Sequence, residues 1–456
     1  MHRFPTEELP SVTTVEARPG PTRGIRPKVV ARTGLQAGFA VNAAIVAYLF
    51  VQAGFASNAL IVLGRLTGLY AALLMAFQLF LMARLPWLDR RIGMDRLAGW
   101  HRWNGFLLLW LLLGHAVFIV FGYARPTGRD PVDQTVELAE TVEGVLRAVV
   151  ALLLILVVGA VSARFARRRL AYETWHFIHL YTYLAVALAF THQVAAGTTF
   201  TSSDLATAYW YALWGSALGA VAVGRILLPL WRNWRHKLVV TAVVPESDNV
   251  VSIHLTGRDL DRLPARAGQF FLWRFLTRDR WWQANPYSLS AAPDGRTLRL
   301  TAKAAGAGSA ALRQVKPGTR VFAEGPYGAF TTLHRTRPDT VLIAGGVGVT
   351  PIRALLEELP GHTVVLYRVG SDKDAVLHRE LHELALARSA ELHLITGPIA
   401  PDPLAPHALA GLVPDIADRD VYVCGPPGMT TAVLRSLREL GVPKPQIHFE
   451  RFSLAG

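Results

Sequence analysis

The sequence predicts a multidomain membrane protein: a six-helix transmembrane bundle, then a small antiparallel β-barrel, then a doubly wound α/β domain. Three observations carry this. The 456 residues are 52% hydrophobic and only 18% charged, against about a quarter charged in an ordinary soluble chain. The apolar excess lies ahead of Pro229 in long stretches, whereas the sequence after Lys237 is mixed. Within that mixed half, short alternating strands give way after Pro338 to strands that alternate with helical stretches. The corresponding divisions are a tail over 1–34, the bundle over 35–230, the barrel over 238–335 and the α/β domain over 336–456. A soluble single-domain enzyme is excluded.

Residues 1–34 are rich in Pro, Gly and Arg and have no apolar core, so they read as a disordered tail and not as a signal peptide. Six apolar segments follow, Leu35–Gly54, Leu60–Ala83, Trp100–Tyr123, Val145–Ala163, Trp175–Ala196 and Ala206–Leu230. Each is close to the ~20 residues that cross a ~30 Å hydrocarbon core. The formal charge of +14 is mostly Arg placed between these segments. That is a topology signal and not a nucleic-acid stripe. Arg84, Arg90, Arg91 and Arg96 lie in the second loop, and Arg164, Arg167, Arg168 and Arg169 in the fourth. Arg232, Arg235 and Lys237 follow the sixth segment, whereas the first and fifth loops have no Lys or Arg. Both termini are therefore expected in the cytoplasm of a multi-pass protein of the cell membrane, and segments three and five run parallel.

Cys424 is the only cysteine, so this chain can build neither a disulfide framework nor a thiolate iron–sulfur cluster. Histidines are the remaining soft ligands, and ionisable side chains inside spans are usually functional. His101 and His115 lie on segment three; His176, His179 and His192 lie on segment five. Offsets of fourteen and thirteen residues set two levels about 20 Å apart, at 1.5 Å per residue. Neutral imidazole ligates haem iron well, and bundle cores commonly house cofactors. The pairs His101 with His179 and His115 with His192 are accordingly expected to hold two b-type haems, with His176 the fallback for His179. The alternatives for these histidines are hydrogen bonding to helix carbonyls and lining of a water cavity. The angular pattern is unhelpful on segment five: His101 and His115 fall within about 40° on a helical wheel, His179 and His192 about 140° apart.

In the soluble half, strands are expected at Leu238–Val244, Val250–Leu255, Gln269–Phe275, Leu298–Ala302 and Arg320–Glu324. The loop Asn285-Pro286-Tyr287-Ser288 offers an aromatic face beside a hydroxyl, suited to a flavin ring. A second loop, from Lys303 through Gly306, Gly308 and Ser309, opens a helix whose N-terminal amides favour a pyrophosphate. Each loop also has a plain turn reading. Beyond Pro338, strand Val341–Ala344 runs into Gly345-Gly346-Val347-Gly348-Val349-Thr350-Pro351 and a helix over Ile352–Leu359. Thr350 is expected to cap that helix and Pro351 to occupy its first position. Strands Val364–Tyr367, Leu392–Thr396 and Val421–Cys424 complete a parallel sheet, and Gly425-Pro426-Pro427-Gly428 follows the last of them. Two Gly-rich loops thus meet on the strand ends where such sheets bind ligands.

Together these residues resemble the NADPH oxidase / ferric reductase superfamily, in which a ferric-reductase-like transmembrane haem domain is fused to a ferredoxin–NADP reductase-type FAD and NAD(P) module. The resemblance covers residues 35–456. It implies FAD, two haems b and NADPH or NADH as cofactors, with His101, His115, His179 and His192 as the iron ligands. Pro286, Tyr287 and Ser288 match the family's flavin motif, but Asn285 stands where relatives carry Arg or His; Arg274 and Lys303 are the cations on hand to replace it. The family's Gly-Gly-x-Gly-x-x-Pro loop is intact as Gly345, Gly346, Gly348 and Pro351, and its Cys-Gly-Pro motif as Cys424, Gly425 and Pro426. Phe452 matches the near-terminal aromatic that covers the flavin where nicotinamide docks, though four residues follow it here. Cys424 reads either as a buried strand residue or as a neighbour of the nicotinamide. Arg368 either pairs with a 2′-phosphate, favouring NADPH, or is a surface charge.

The expected function is transfer of electrons from cytoplasmic NAD(P)H through FAD and two haems to an external acceptor, dioxygen or a ferric chelate. One alternative is a membrane-anchored flavin reductase without haem that serves a soluble or quinone acceptor. Another is a channel or transporter regulated by a nucleotide domain.

Overall fold

The computed structural model describes residues 27–167, 169–170, 172–397 and 402–451. The first half is helical throughout: α1 (Pro27–Gln52), α2 (Ala59–Leu81), α3 (Pro86–Ile92), α4 (Met94–Thr127), α5 (Pro131–Thr141), α6 (Val145–Ser162), the single turn α7 (Arg164–Arg167), α8 (Tyr172–Ala196), α9 (Asp204–Ala222) and α10 (Leu228–His236). Among the described residues, five stretches are long and apolar enough to cross a membrane: Val29–Gln52, Ala59–Leu81, Arg96–Thr127, Val145–Ser162 and Asp204–His236. The fifth expected span, Trp175–Ala196, forms helix α8 of sufficient length but is not among them. Its three histidines, with Thr182, Thr191 and Gln193, lower its hydropathy.

Several boundaries differ from the sequence expectation. Helix α1 begins at Pro27, ahead of Leu35, so the expected tail overlaps it; residues 1–26 lie outside the described residues. Helix α4 extends beyond both ends of Trp100–Tyr123. The third loop contains α5, which Asp130 caps by accepting a hydrogen bond from the Val132 amide. Helix α9 continues through a π-helical turn, Val223–Leu227, into α10, so Arg232 and Arg235 lie on the helix and not beyond it. Gly224 sits in that turn against the Ala83 carbonyl, where a Cβ would come within 2.0 Å.

Six strands make up the next domain: β1 (Val239–Ser247), β2 (Val250–Thr256), β3 (Phe270–Phe275), β4 (Asn285–Ser288), β5 (Thr297–Lys303) and β6 (Val321–Tyr327). They form two three-stranded antiparallel sheets, β1-β2-β5 and β4-β3-β6, and not one continuous ring. Bridges at Val239–Arg320 and Leu289–Leu300 link the sheets around a shared core that includes Ile253, Leu255, Phe271, Trp273 and Leu300. Asn285–Ser288, expected as a loop, is strand β4. Its pairing with β3, together with the bond from Trp273 Nε1 to the Tyr287 carbonyl at 2.9 Å, holds it extended.

The last domain alternates β7 (Thr340–Gly345), α12 (Val349–Glu358), β8 (Thr363–Arg368), α13 (His378–Ala387), β9 (Glu391–Ile395), α14 (Pro406–Leu412), β10 (Asp420–Gly425), α15 (Pro427–Glu439) and β11 (Ile447–Arg451). All five strands are parallel, in the order β11-β10-β7-β8-β9. Both faces are covered, as the continuous apolar strands require. Leu342, Ala344, Val365 and Tyr367 pack on one side, and Val341, Ile343, Val364 and Leu366 on the other. The chain reverses its winding between β7 and β10, and that crevice is where such sheets bind ligands.

Candidate functional site

Helices α4 and α8 bring the histidines together in pairs. The rings of His101 and His179 lie 6.0 Å apart, centroid to centroid, and those of His115 and His192 lie 6.4 Å apart. Two imidazole nitrogens that share a metal at about 2.0–2.1 Å each set their ring centres about 6 Å apart. His176 is exposed, leaving His179 as the partner of His101. The 140° offset of His179 and His192 therefore does not separate their rings from α4. Helix α4 packs along α2 and α8 along α6, leaving the imidazoles to meet between them. His115 is the best oriented: its Nδ1 is 2.8 Å from the Gly64 carbonyl, and Gly68 gives its ring room that a Cβ, 2.6 Å from Nδ1, would fill. That bond leaves Nε2 as the free ligand atom. The rings of His101 and His192 have backbone partners at Gln78 and Gly144, whereas His179 keeps a buried Nδ1 without a protein partner, which is costly in a low dielectric. No described group of three or more His, Cys, Asp or Glu could hold a bare metal ion. The residues fit a prosthetic group that brings its own equatorial ligands.

The flavin motif lies close beneath this bundle. Strand β6 is the docking strand: the Asn233 side chain on α10 exchanges two bonds of 2.8 Å with the Ala323 backbone, and Arg232 bonds the Gly325 carbonyl. The fully buried Asp89 on α3 accepts from the Gly328 amide at 2.6 Å. Glu324, also buried, pairs with Arg84 of the second loop at 2.7 Å and with Arg274 of β3. Strand β4 is two strands away in the same sheet, about 10 Å at the usual spacing.

On β4, Ser288 is buried and its hydroxyl has no protein partner, so an acceptor or donor on a bound ring would satisfy it. Burial pushes the Tyr287 phenol up to about 12, so it stays protonated at neutral pH. Pro286 is exposed beside it. The second loop behaves differently from the expectation. It enters only the short α11 (Ala307–Ala310) and a 3₁₀ turn, and the Ser309 hydroxyl caps the Ala305 and Gly306 amides at 2.8 and 3.1 Å. Those donors are spent inside the loop. Lys303 is exposed at the end of β5. A groove between the two loops is lined by Thr277, Arg280, Gln283, Asn285 and Gly308.

In the nucleotide domain, Gly345 ends β7 and Gly425 ends β10, side by side at the crevice; a Cβ on Gly425 would lie 3.1 Å from the Gly345 Cα. Gly346–Gly348 form a 3₁₀ turn and α12 starts at Val349. Thr350 is therefore not the cap. It lies inside the first turn, its hydroxyl bonding the Val347 carbonyl at 3.0 Å, with Pro351 one residue further on. Cys424 is fully buried, and its burial raises the thiol well above the ordinary range. Pro426 precedes α15. The Arg368 guanidinium bonds the Val369 carbonyl, the Ile395 carbonyl at 3.4 Å and the Gly397 carbonyl at 2.6 Å. Phe452 lies outside the described residues. No sequence motif pointed to Asp89 or Glu324; their roles come from contacts that the fold creates.

Comparison with known families matches residues 67–190 to the ferric reductase like transmembrane component and residues 342–435 to the oxidoreductase NAD-binding domain. A ferredoxin–NADP reductase B of Sorangium cellulosum is 32% identical over 188 residues, covering 36% of this chain and 77% of that protein. A flavohemoprotein of Xylella fastidiosa is 28% identical over 237 residues, covering 49% of this chain and 59% of the relative, and a flavohemoprotein of Vibrio cholerae is covered over 45% of its length. The chain thus spans about half the length of these flavohemoproteins. A solved flavohem-like FAD/NAD binding domain of nitric oxide dioxygenase from Vibrio cholerae shares 30% identity, over 48% of this chain and 98% of that domain, with a TM-score of 0.41.

Proposed function

This chain belongs to the ferric reductase / NADPH oxidase-like fusions, which join a ferric-reductase-like transmembrane domain to an FAD- and NAD(P)-binding oxidoreductase module, and on that premise we propose that it carries electrons from cytoplasmic NAD(P)H, by way of FAD and two b-type haems, to an acceptor across the membrane. The observation that carries the proposal is the pair of opposed imidazole couples on α4 and α8, at 6.0 and 6.4 Å. His101 with His179 would hold the inner group and His115 with His192 the outer one. When bound, FAD would supply the conversion of a two-electron donor to one-electron transfers, and haem iron held by these histidines would supply one-electron transfer.

The chain's own residues bind and orient. The Gly64 carbonyl fixes the tautomer of His115. Ser288 and the protonated Tyr287 present a hydroxyl and an aromatic face to the flavin, and Phe452 is proposed to cover its other face. Gly345, Gly346, Gly348, Gly425 and Pro426 keep the crevice between β7 and β10 open for the dinucleotide. The coenzyme is NADPH or NADH: Arg368 already serves three backbone carbonyls. His101, His179, His115 and His192 would hold the two haems, and the acceptor in this scheme is dioxygen or a ferric chelate. Both termini lie on the cytoplasmic side in this scheme.

His115→Ala tests it. The variant should lose about half of the haem absorbance and nearly all reduction of external acceptor, while NAD(P)H still reduces the flavin at the wild-type rate. Wild-type external reduction in this variant would defeat the proposal. Flavin content without any haem band in the purified wild type would instead favour the haem-free flavin reductase.

A further inference from the structure

An imidazole that binds iron through one nitrogen can turn about that bond unless its other nitrogen, or its face, is held. For three of the four paired histidines a backbone group does the holding: Gly64 for His115 at 2.8 Å, and Gln78 and Gly144 for His101 and His192. His179 is different. Its Nδ1 is buried and has no protein partner, so no hydrogen bond sets its rotation.

An aromatic ring stands where that bond would be. Trp175 precedes His179 by one helical turn on α8, a spacing that puts both on one face. The two rings lie 5.0 Å apart, centroid to centroid, with their planes 27° from parallel, which is an offset stack. The indole Nε1 donates to the Ser162 hydroxyl at 3.1 Å. Ser162 ends α6, the helix that packs along α8, so the stack is anchored from a second helix. Trp175 also differs from an ordinary interfacial aromatic. Trp103 and Trp234 have that character, at 73% and 72% exposed, whereas Trp175 is half-buried with its face on the imidazole. The neighbouring His176 ring lies farther from Trp175, at 6.5 Å and 44°.

We infer that Trp175 is the positioning residue of the inner histidine pair: its stack on His179 sets the angle between the His179 and His101 planes, 65° here, as backbone groups set the other three rings. The inference rests on the haem reading above. Its consequence is a difference between the two levels. The outer pair is oriented by backbone, which no side-chain substitution removes, and the inner pair depends on a side chain that can be replaced.

The test is electron paramagnetic resonance of the oxidised, full-length holoprotein, because the largest g value of a low-spin ferric haem with two imidazoles reports the angle between their planes. Trp175→Leu is made in the wild type and in His115→Ala, where the inner haem is the one left. It should shift the inner low-field line by more than its wild-type width and leave the outer line unmoved. Trp175→Phe keeps a ring face and should return the line to its wild-type position. Ser162→Ala removes only the anchor and should broaden the line without loss of haem. An inner line that stays in place in Trp175→Leu, or a shift that persists in Trp175→Phe, overturns the inference. Should Trp175→Leu take up no inner haem, Ser162→Ala decides, and an unbroadened line there overturns it. Wild-type protein with no low-spin haem signal would overturn the functional reading itself, a result distinct from these.

Discussion

Gly348 lies where the end of β10 presses on the start of α12. Its backbone conformation is ordinary, so the case for glycine is contact alone: a Cβ would lie 2.3 Å from the Cys424 carbonyl oxygen and 2.7 Å from its carbon. Both atoms belong to backbone inside a parallel sheet and cannot rotate away. Gly428, three residues beyond Gly425, has nothing within 4 Å of its Cβ position. Gly348→Ala should therefore destabilise the protein by about 1–3 kcal/mol, the usual cost of overpacking, and raise the KM for NAD(P)H by pushing the loop from the crevice. Gly428→Ala should do neither. Thermal unfolding and steady-state kinetics on the pair decide the matter, and equal behaviour of the two variants would remove the steric role given to Gly348. FAD content should be unaffected in both, because the flavin loops belong to the other domain.

Elements were legible in proportion to how narrowly physics constrains them. A lipid core demands about 20 apolar residues in a row, so α1, α2, α4, α6 and α9 were visible in composition. Helix α8 was visible too, although its histidines exclude it from the most apolar set. The short helices α3 and α5 carry no such demand and leave no comparable signal in composition. Strand β4 was hidden because Pro286 breaks the usual strand pattern, and only pairing with β3 holds it straight. The helix expected after Gly306 shrank to a turn because Ser309 folds back on its own amides. The histidine pairs were legible from their offsets, which depend only on helical rise. Their facing was not, because a wheel ignores which neighbours each helix packs on. The glycine loops at β7 and β10 were legible as motifs, since a sheet edge that admits a dinucleotide tolerates few side chains. Glu324 and Asp89 were invisible: their partners stand 240 and 239 positions away, and no local pattern encodes so remote a bond.

At the scale of the whole molecule, the proposed delivery of electrons would depend on how the soluble half is held against the bundle. Strand β6 makes that junction through Asn233, Arg232 and, with charge, Glu324. Glu324 is the one carboxylate seen between Arg84 of the membrane half and Arg274 of the flavin sheet. Hydrogen bonds to charged groups are worth about 1.5–3 kcal/mol, and the partial exposure of both arginines favours the lower end. Removing the carboxylate also leaves two guanidinium groups facing one another. Glu324→Ala should loosen the junction by about a factor of ten, the equivalent of 1.4 kcal/mol. The flavin would then spend less time at the distance set by two strand spacings. Reduction of a soluble dye at the flavin by NAD(P)H should persist, reduction of the external acceptor should fall several-fold, and the amides of β6 should exchange faster with deuterium. The variant Arg84→Ala should loosen the junction less, because Arg274 still pairs with Glu324, and the double variant should cost less than the two single effects summed, because both remove the Arg84–Glu324 contact. Unchanged external reduction with accelerated exchange would show that the junction holds the domains without setting electron delivery. Unchanged exchange would show that Glu324 does not hold them at all.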